Sequence, residues 1–251
     1  MMHKYQPYDF TQSLERIDQI LDAEDVSFEE IGVIPDAGGL TYTNGYYVNC
    51  SALFIDMRDS SKLPSLYARP TLAKIYRAYI SECVAILNSV ASCAEVNIVG
   101  DSVSAIFGTR LQKDFTDVFS AACQLVSLTD ILNCKLRKRQ INRICTGIGI
   151  SYGRALMVKA GYAGSGINDV VWTGDVVNQA ASLCDKASSC ITEEAIFLSQ
   201  TFYDKLPRDD QKILKRSIWT DSPAHGRPVN DLMDDWVKAN CPRRRRGGLL
   251  Y

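Results

Sequence analysis

The chain has 251 residues, 46% of them hydrophobic, and its 28 basic and 29 acidic side chains leave a net charge of −1. That balance argues against a nucleic-acid-coating or membrane-surface protein, and no apolar run approaches the roughly 20 residues that span a bilayer. Nine cysteines without a Cys-x-x-Cys pair, and only two histidines (His3 and His225), argue against a zinc site or a histidine triad. Cys50, Cys83 and Cys123 lie in apolar patterns and read as reduced core residues of a cytoplasmic protein. The N-terminus, Met-Met-His-Lys-Tyr-Gln-Pro, lacks the apolar stretch of a signal peptide.

Along the chain, Leu14, Ile17, Ile20 and Leu21 recur at helical spacing, which predicts a short amphipathic helix over 10–24. A Gly/Pro-containing stretch, 34–39, separates it from a nearly continuous β-branched and apolar strand, Tyr46 to Asp56. Pro70 opens a long helix with Leu72, Ile75, Tyr79, Cys83 and Leu87 on one face. A strand ending at Val99, a turn at Gly100-Asp101 and a returning strand to Phe107 follow, then a helix over about 114–134. Strands are expected at Arg143–Ile150 and Ala155–Ala160, broken at Ser151-Tyr152-Gly153, then an extended piece at 169–172 and a helix of small residues after Gly174. The order β-α-β-β-α-β predicts an α+β fold: a ferredoxin-like antiparallel sheet with helices on one face. The organisation reads as an N-terminal helix and linker (1–45), a main domain (46–240) and a basic tail (241–251) whose Arg243–Arg246 run is a solvated end.

Two strands end on a carboxylate, Asp56 and Asp101. Two carboxylates delivered to one place by two strand ends can hold a pair of divalent cations, the ions a nucleoside triphosphate needs to react. Taken singly, either aspartate is also an ordinary turn or cap residue.

The blocks Phe54-Ile-Asp56-Met-Arg-Asp-Ser-Ser61, Val99-Gly-Asp101-Ser-Val-Ser-Ala-Ile-Phe-Gly108, Gly147-Ile-Gly-Ile-Ser-Tyr-Gly153 and Gly174-Asp-Val-Val-Asn178-Gln-Ala-Ala-Ser182 occur in that order. Together they resemble the catalytic domain of class III nucleotidyl cyclases over residues 46–200. The resemblance implies two Mg²⁺ or Mn²⁺ ions per site, held by Asp56, Asp101 and the Met57 carbonyl. It implies that Phe54, Met57, Arg58, Asp59, Ser60 and Ser61 meet the substrate, with the backbone amides of 57–61 cradling the β- and γ-phosphates. It further implies a head-to-tail homodimer in which Asn178 reaches across to orient the ribose in the other subunit's site.

Three departures narrow the expectation. Where purine cyclases read the base edge with a lysine or glutamate, this chain has Asn97, and the second base-reading position is Val171, beside Trp172. Where the family carries a transition-state arginine four residues after the asparagine, this chain has Ser182. The missing cation leaves two readings: a non-catalytic cyclase-homology module that binds nucleotide, or an enzyme in which Arg58, Arg154 or Lys159 substitutes, Arg58 being best placed. Asp59 stands where a phosphate loop normally has glycine, and its carboxylate would repel phosphate unless it points away, for instance to cap the next helix. The whole pattern is similar to the pyrimidine cyclases of bacterial Pycsar antiphage systems. That resemblance implies UTP converted to cyclic UMP, with CTP to cyclic CMP as the alternative, and a product that acts on a separate effector. No nucleic-acid or membrane partner is implied. An amide can present either its carbonyl or its NH₂, so Asn97 alone fits uracil or cytosine.

Overall fold

A computed structural model describes residues 7–24, 28–162, 167–190, 194–216 and 223–241, and only the backbone of 167–169. His3 and the Arg243–Arg246 run lie outside the described residues. In chain order the elements are α1 (Phe10–Leu21), β1 (Phe28–Ile31), β2 (Gly45–Arg58), α2 (Leu63–Leu66), α3 (Arg69–Asn88), β3 (Cys93–Val99), β4 (Ser102–Phe107) and α4 (Gln112–Arg137). There follow β5 (Cys145–Tyr162), β6 (Ile167–Thr173), α5 (Asp175–Lys186), β7 (Ile196–Leu198), α6 (Gln200–Tyr203), α7 (Arg208–Lys212), β8 (Ala224–Gly226) and α8 (Asp231–Asn240).

The strands form one sheet in the order β3-β4-β2-β5-β7-β8, with β1 beside β2 and β6 beside β5. Its spine is the antiparallel pair β2–β5, in register from Gly45↔Val158 to Arg58↔Cys145. Two pairs, β1–β2 and β5–β7, are parallel, so the sheet is mixed rather than wholly antiparallel.

Successive residues of a strand point to opposite faces. In β2, Leu53, Ile55 and Met57 are at most 2% exposed and join the main core with Ile75, Tyr79, Cys83 and Leu87 of α3 and the inner face of α4. α4 is long and apolar enough by composition to cross a membrane, but most of that stretch is buried inside the fold. The alternate residues of β2, Cys50 and Ala52, pack instead with Val176 and Ala180 of α5. The helices therefore cover both faces, correcting the expectation of one.

The reason lies in two glycines of β5. A Cβ on Gly149 would stand 2.1 Å from the Ala180 carbonyl oxygen and 2.2 Å from the Cys184 nitrogen, and one on Gly147 would stand 2.5 Å from the Ala187 oxygen. Only bare backbone lets α5 lie this close. The expected break at Ser151-Tyr152-Gly153 does not occur, because these residues continue the ladder against Ala52, Ser51 and Cys50. β5 is one strand of 18 residues.

At the N-terminus, β1 pairs with β2 in the sheet and Leu40 is buried. Cys50, Cys83 and Cys123 are free and buried. Four other cysteines pair: Cys134–Cys241 ties α4 to the chain after α8, and Cys145–Cys190 ties the start of β5 to the segment after α5.

Candidate active site

The β2 face that carries Ala52, Phe54, Asp56 and Arg58 is the one shared with α5, and Phe54 lies partly buried at the edge of that cluster. Asp101 sits in the β3–β4 turn, where Val99 pairs with Ser102 and Gly100 takes the left-handed conformation (φ 65°) that glycine adopts at no steric cost. Because Ile55 pairs with Val103, the turn lands beside the Asp56–Met57 end of β2.

Burial, then the charge of Asp101, raises the Asp56 carboxyl above its ordinary value, while Arg58 and the Met57 amide pull it back and Asp185 adds to the rise. Oδ2 of Asp101 is buried without a hydrogen-bond donor. An orphaned carboxylate oxygen facing a second carboxylate is costly unless a cation sits between them. Among the described residues, no group of three or more His, Cys, Asp or Glu side chains is arranged to hold a metal ion. Further ligands would have to be backbone carbonyls, water or phosphate oxygens, the set Mg²⁺ takes in nucleotide sites. The donor set fits a divalent cation.

Arg58 is half-hidden between Asp56 and the end of α5. Its Nη1 lies 3.3 Å from Asp56 Oδ2, its Nε donates to the Ala187 carbonyl at 3.0 Å, and Nη2 donates to the Cys184 carbonyl. A helix C-terminus exposes carbonyls without partners and carries partial negative charge, and the guanidinium answers both. Arg154 and Lys159 stand elsewhere. Arg154 lies 4.0 Å over the Tyr47 ring and 3.6 Å from Glu30, and Lys159 lies over Tyr42. Arg154 pairs with Asn49, seven positions along β2 from Asp56, so neither cation reaches Asp56 of its own chain.

Asp59 adopts φ 57°, ψ 24°, the left-handed conformation that glycine would supply and that aspartate tolerates. Its carboxylate makes no cap. It turns to Lys62 at 2.8 Å instead. Ser60 begins a short 3-10 turn (Ser60–Lys62) close to Tyr76 of α3, whose phenol is raised by burial and by Asp101. Ser61 is exposed.

The base-reading candidates follow from strand register. Asn97 pairs with Ser104, which pairs with Phe54, and this row lies one pleat from Asp56 on the same face. One pleat further, Glu95 pairs with Ile106, which pairs with Ala52. Asn97 Nδ2 donates to Glu95 Oε1 at 2.6 Å, and Trp172 Nε1 donates to Glu95 Oε2 at 2.8 Å. Val171, 41% exposed, points to the opposite side of β6 from Trp172 and does not join them. Asn178 is exposed on the outer face of α5, opposite the sheet-facing Val176, Ala180, Leu183 and Cys184, with Ser182 one turn on. Glu95 and Tyr76 stand among these residues, and motif reasoning passed over both. Glu95 was findable, since it shares the period-2 face of Asn97.

No family model matches the chain. Among solved structures it resembles the guanylyl cyclase Cya2 (TM-score 0.58, 15% identity, covering 72% of this chain and 91% of that one). It also resembles the adenylyl cyclase CyaB from P. aeruginosa (TM-score 0.58, 21% identity, covering 72% and 93%). These likenesses establish the class III cyclase fold. In sequence, it is 35% identical to a uridylate cyclase of Treponema porcinum over 181 residues, 72% of this chain and 63% of that one. It is 40% identical to a uridylate cyclase of Gulbenkiania mobilis over 232 residues, 88% of this chain and 90% of that protein. Identity of that degree over nearly the full length of both proteins makes this chain a nucleotide cyclase of the uridylate cyclase family.

Proposed function

We propose that the protein converts UTP to 3′,5′-cyclic UMP and pyrophosphate, with Asp56 and Asp101 holding two Mn²⁺ or Mg²⁺ ions at each site. The ribose 3′-oxygen bonds to the α-phosphorus, the bond to the β-phosphate bridging oxygen breaks, and pyrophosphate departs as the hydroxyl proton is lost. When bound, the two cations supply charge neutralisation on the triphosphate and acidify the 3′-hydroxyl. Asp56 and Asp101, with the Met57 carbonyl, are the protein's ligands.

The backbone amides of 57–61 receive the β- and γ-phosphates, in a loop whose left-handed Asp59 is followed by helical residues, a conformation that points successive N–H groups inward. Lys62 offsets the Asp59 charge that would otherwise oppose the phosphates. Phe54 and Asn97 lie on the row where the base extends from the metal end, and Trp172 closes that side. Arg58 acts by holding Asp56 and the end of α5 rather than by touching the transferred group. Asn178 faces outward, so it serves the ribose of a partner subunit in a homodimer. Such a protein works in the cytoplasm, and by resemblance to Pycsar cyclases its product activates a separate effector in antiphage defence.

The observation that carries this reading is the orphaned Asp101 oxygen beside Asp56, one pleat from Asn97, in a chain 40% identical to a uridylate cyclase. Incubation with each of the four ribonucleoside triphosphates and Mn²⁺, with products read by mass spectrometry, tests it. Cyclic UMP as the main product is expected. Cyclic AMP or GMP as the main product overturns the pyrimidine assignment, and no product from any triphosphate favours a nucleotide-binding module.

A further inference from the structure

Asn97 leaves uracil and cytosine undecided because an amide can turn either way, yet in the folded protein it is not free to turn. We propose that Glu95 is a positioning residue that sets base specificity: by holding the Asn97 NH₂ and the Trp172 indole together, it presents the Asn97 carbonyl to the base and so selects uracil over cytosine. The inference rests on the assignment of this site to a pyrimidine triphosphate.

Both carboxylate oxygens of Glu95 are occupied, Oε1 by Asn97 at 2.6 Å and Oε2 by Trp172 at 2.8 Å. Hydrogen bonds to an anionic acceptor are about twice as strong as neutral ones. Turning the Asn97 amide over would set its carbonyl against the Glu95 carboxylate, acceptor against acceptor, and forfeit the 2.6 Å bond. One N–H of the amide is therefore held by Glu95, and Oδ1 is the acceptor that the fixed amide turns to a ligand. Uracil carries a donor, N3–H, at the centre of its pairing edge. Cytosine carries a lone pair at the same ring atom. A carbonyl fixed opposite that ring atom meets the first with a hydrogen bond and the second with repulsion, and a site built around a ligand N–H rejects the analogue lacking it far more strongly than shape alone can.

The Trp172 half of the arrangement is a wall. Glu95 and Trp172 line a cavity of about 560 Å³ together with Asn49, Cys93, Arg110 and Met157. Indole is large and rigid, and its N–H is already satisfied by Glu95, so it holds Glu95 from the side away from Asn97 and leaves an apolar surface there.

Glu95→Gln is the direct test, since a neutral amide of the same size can donate as well as accept and so permits either orientation of Asn97. The ratio of kcat/KM for UTP to that for CTP is measured with Mn²⁺ for wild type, E95Q, N97A and the double variant. The wild type is expected to favour UTP. E95Q should lower the ratio at least about tenfold, mainly by raising CTP turnover, with less than about a tenfold loss on UTP. In the N97A background E95Q should leave the ratio unchanged within about twofold, because its effect acts through Asn97. N97A alters an exposed side chain and keeps the test informative if E95Q proves unstable: its own ratio must then fall at least about tenfold. A wild-type UTP preference that survives E95Q, or an equal effect of E95Q with and without Asn97, overturns the inference while leaving the cyclase assignment intact. A wild type that makes no cyclic UMP overturns both.

Discussion

On the face of the sheet turned to α3 and α4, Leu53, Ile55 and Met57 of β2 vanish into an apolar core. On the other face the intervening residues run Ala52, Phe54, Asp56, Arg58, from an apolar seat for α5 to a charged and partly open end. The same strand thus builds a core with one set of side chains and the candidate site with the other. Packing on the first face fixes where the second face's groups stand, to within one pleat. The reactive face keeps its carboxylates in a state that burial and mutual repulsion disfavour, which the closely packed face can sustain.

The comparison breaks most sharply if the carboxylates are removed. Asp101→Ala or Asp56→Ala should cut cyclase activity at least about a thousandfold, roughly 4 kcal/mol of transition-state stabilisation, while circular dichroism shows the fold retained. Mixed with Asn178→Ala, the Asp56→Ala chain should recover up to about a quarter of wild-type activity, since random pairing gives half heterodimers with one intact site each. A monomer with full activity defeats the shared-site idea. Gly149→Val strikes the seat of α5 and should destabilise the protein by about 3 kcal/mol or more, as expected for overpacking against rigid backbone, visible as a lower urea midpoint. A midpoint equal to wild type would mean that α5 can shift outward at little cost.

Arg58→Ala removes the guanidinium from the Ala187 carbonyl, leaves the Cys184 carbonyl with the Ala187 amide alone, and releases Asp56. A rate reduction of at least about tenfold is expected, with a smaller change in KM. An unchanged rate would reduce Arg58 to a surface tie. The smallest effect concerns stability and pH. A carboxyl raised on folding binds its proton more tightly in the native state, so metal-free stability falls as pH rises from the ordinary carboxylate range through the raised Asp56 value. Asp56→Asn lacks that loss and should melt about 2–4 °C above chelated wild type at neutral pH, the gap narrowing on acidification. A constant gap from acid to neutral would detach the effect from the Asp56 charge.

Motif order picked out the candidate residues in the sequence: Asp56 and Asp101 come from the blocks that also announce their strands, and Asn97 lies four residues before Asp101. Local periodicity also found α3 and α4. The unbroken β5 escaped because glycine and serine read as turn residues, while fourteen ladder partners on β2 outweigh that preference. The position of α5 on the second face was hidden because nothing in β5 marks Gly147 and Gly149 as a landing site until the helix is in place. The disulfides escaped because Cys134 and Cys241 are distant in the chain and meet only when α8 docks on α4. Glu95 shares the face of Asn97 in the sequence pattern, but its bond to Trp172 of β6 was hidden because only the folded sheet brings β6 to β3.

The pairing of Asp56 with Gly147 has a consequence for the order of events at the ribosome. The strand that fixes the Asp56 carboxylate on its face is synthesised roughly ninety residues after it, which at about 5–20 residues per second is a delay of roughly 5–20 s. During that interval β2 can pair with β4 but has no β5 to complete the spine, and α5, whose end Arg58 caps, does not yet exist. A nascent chain that stops short of Lys186 therefore lacks both the β5 partner of Asp56 and the helix end that Arg58 caps, so interrupted synthesis releases fragments in which the candidate site is not assembled.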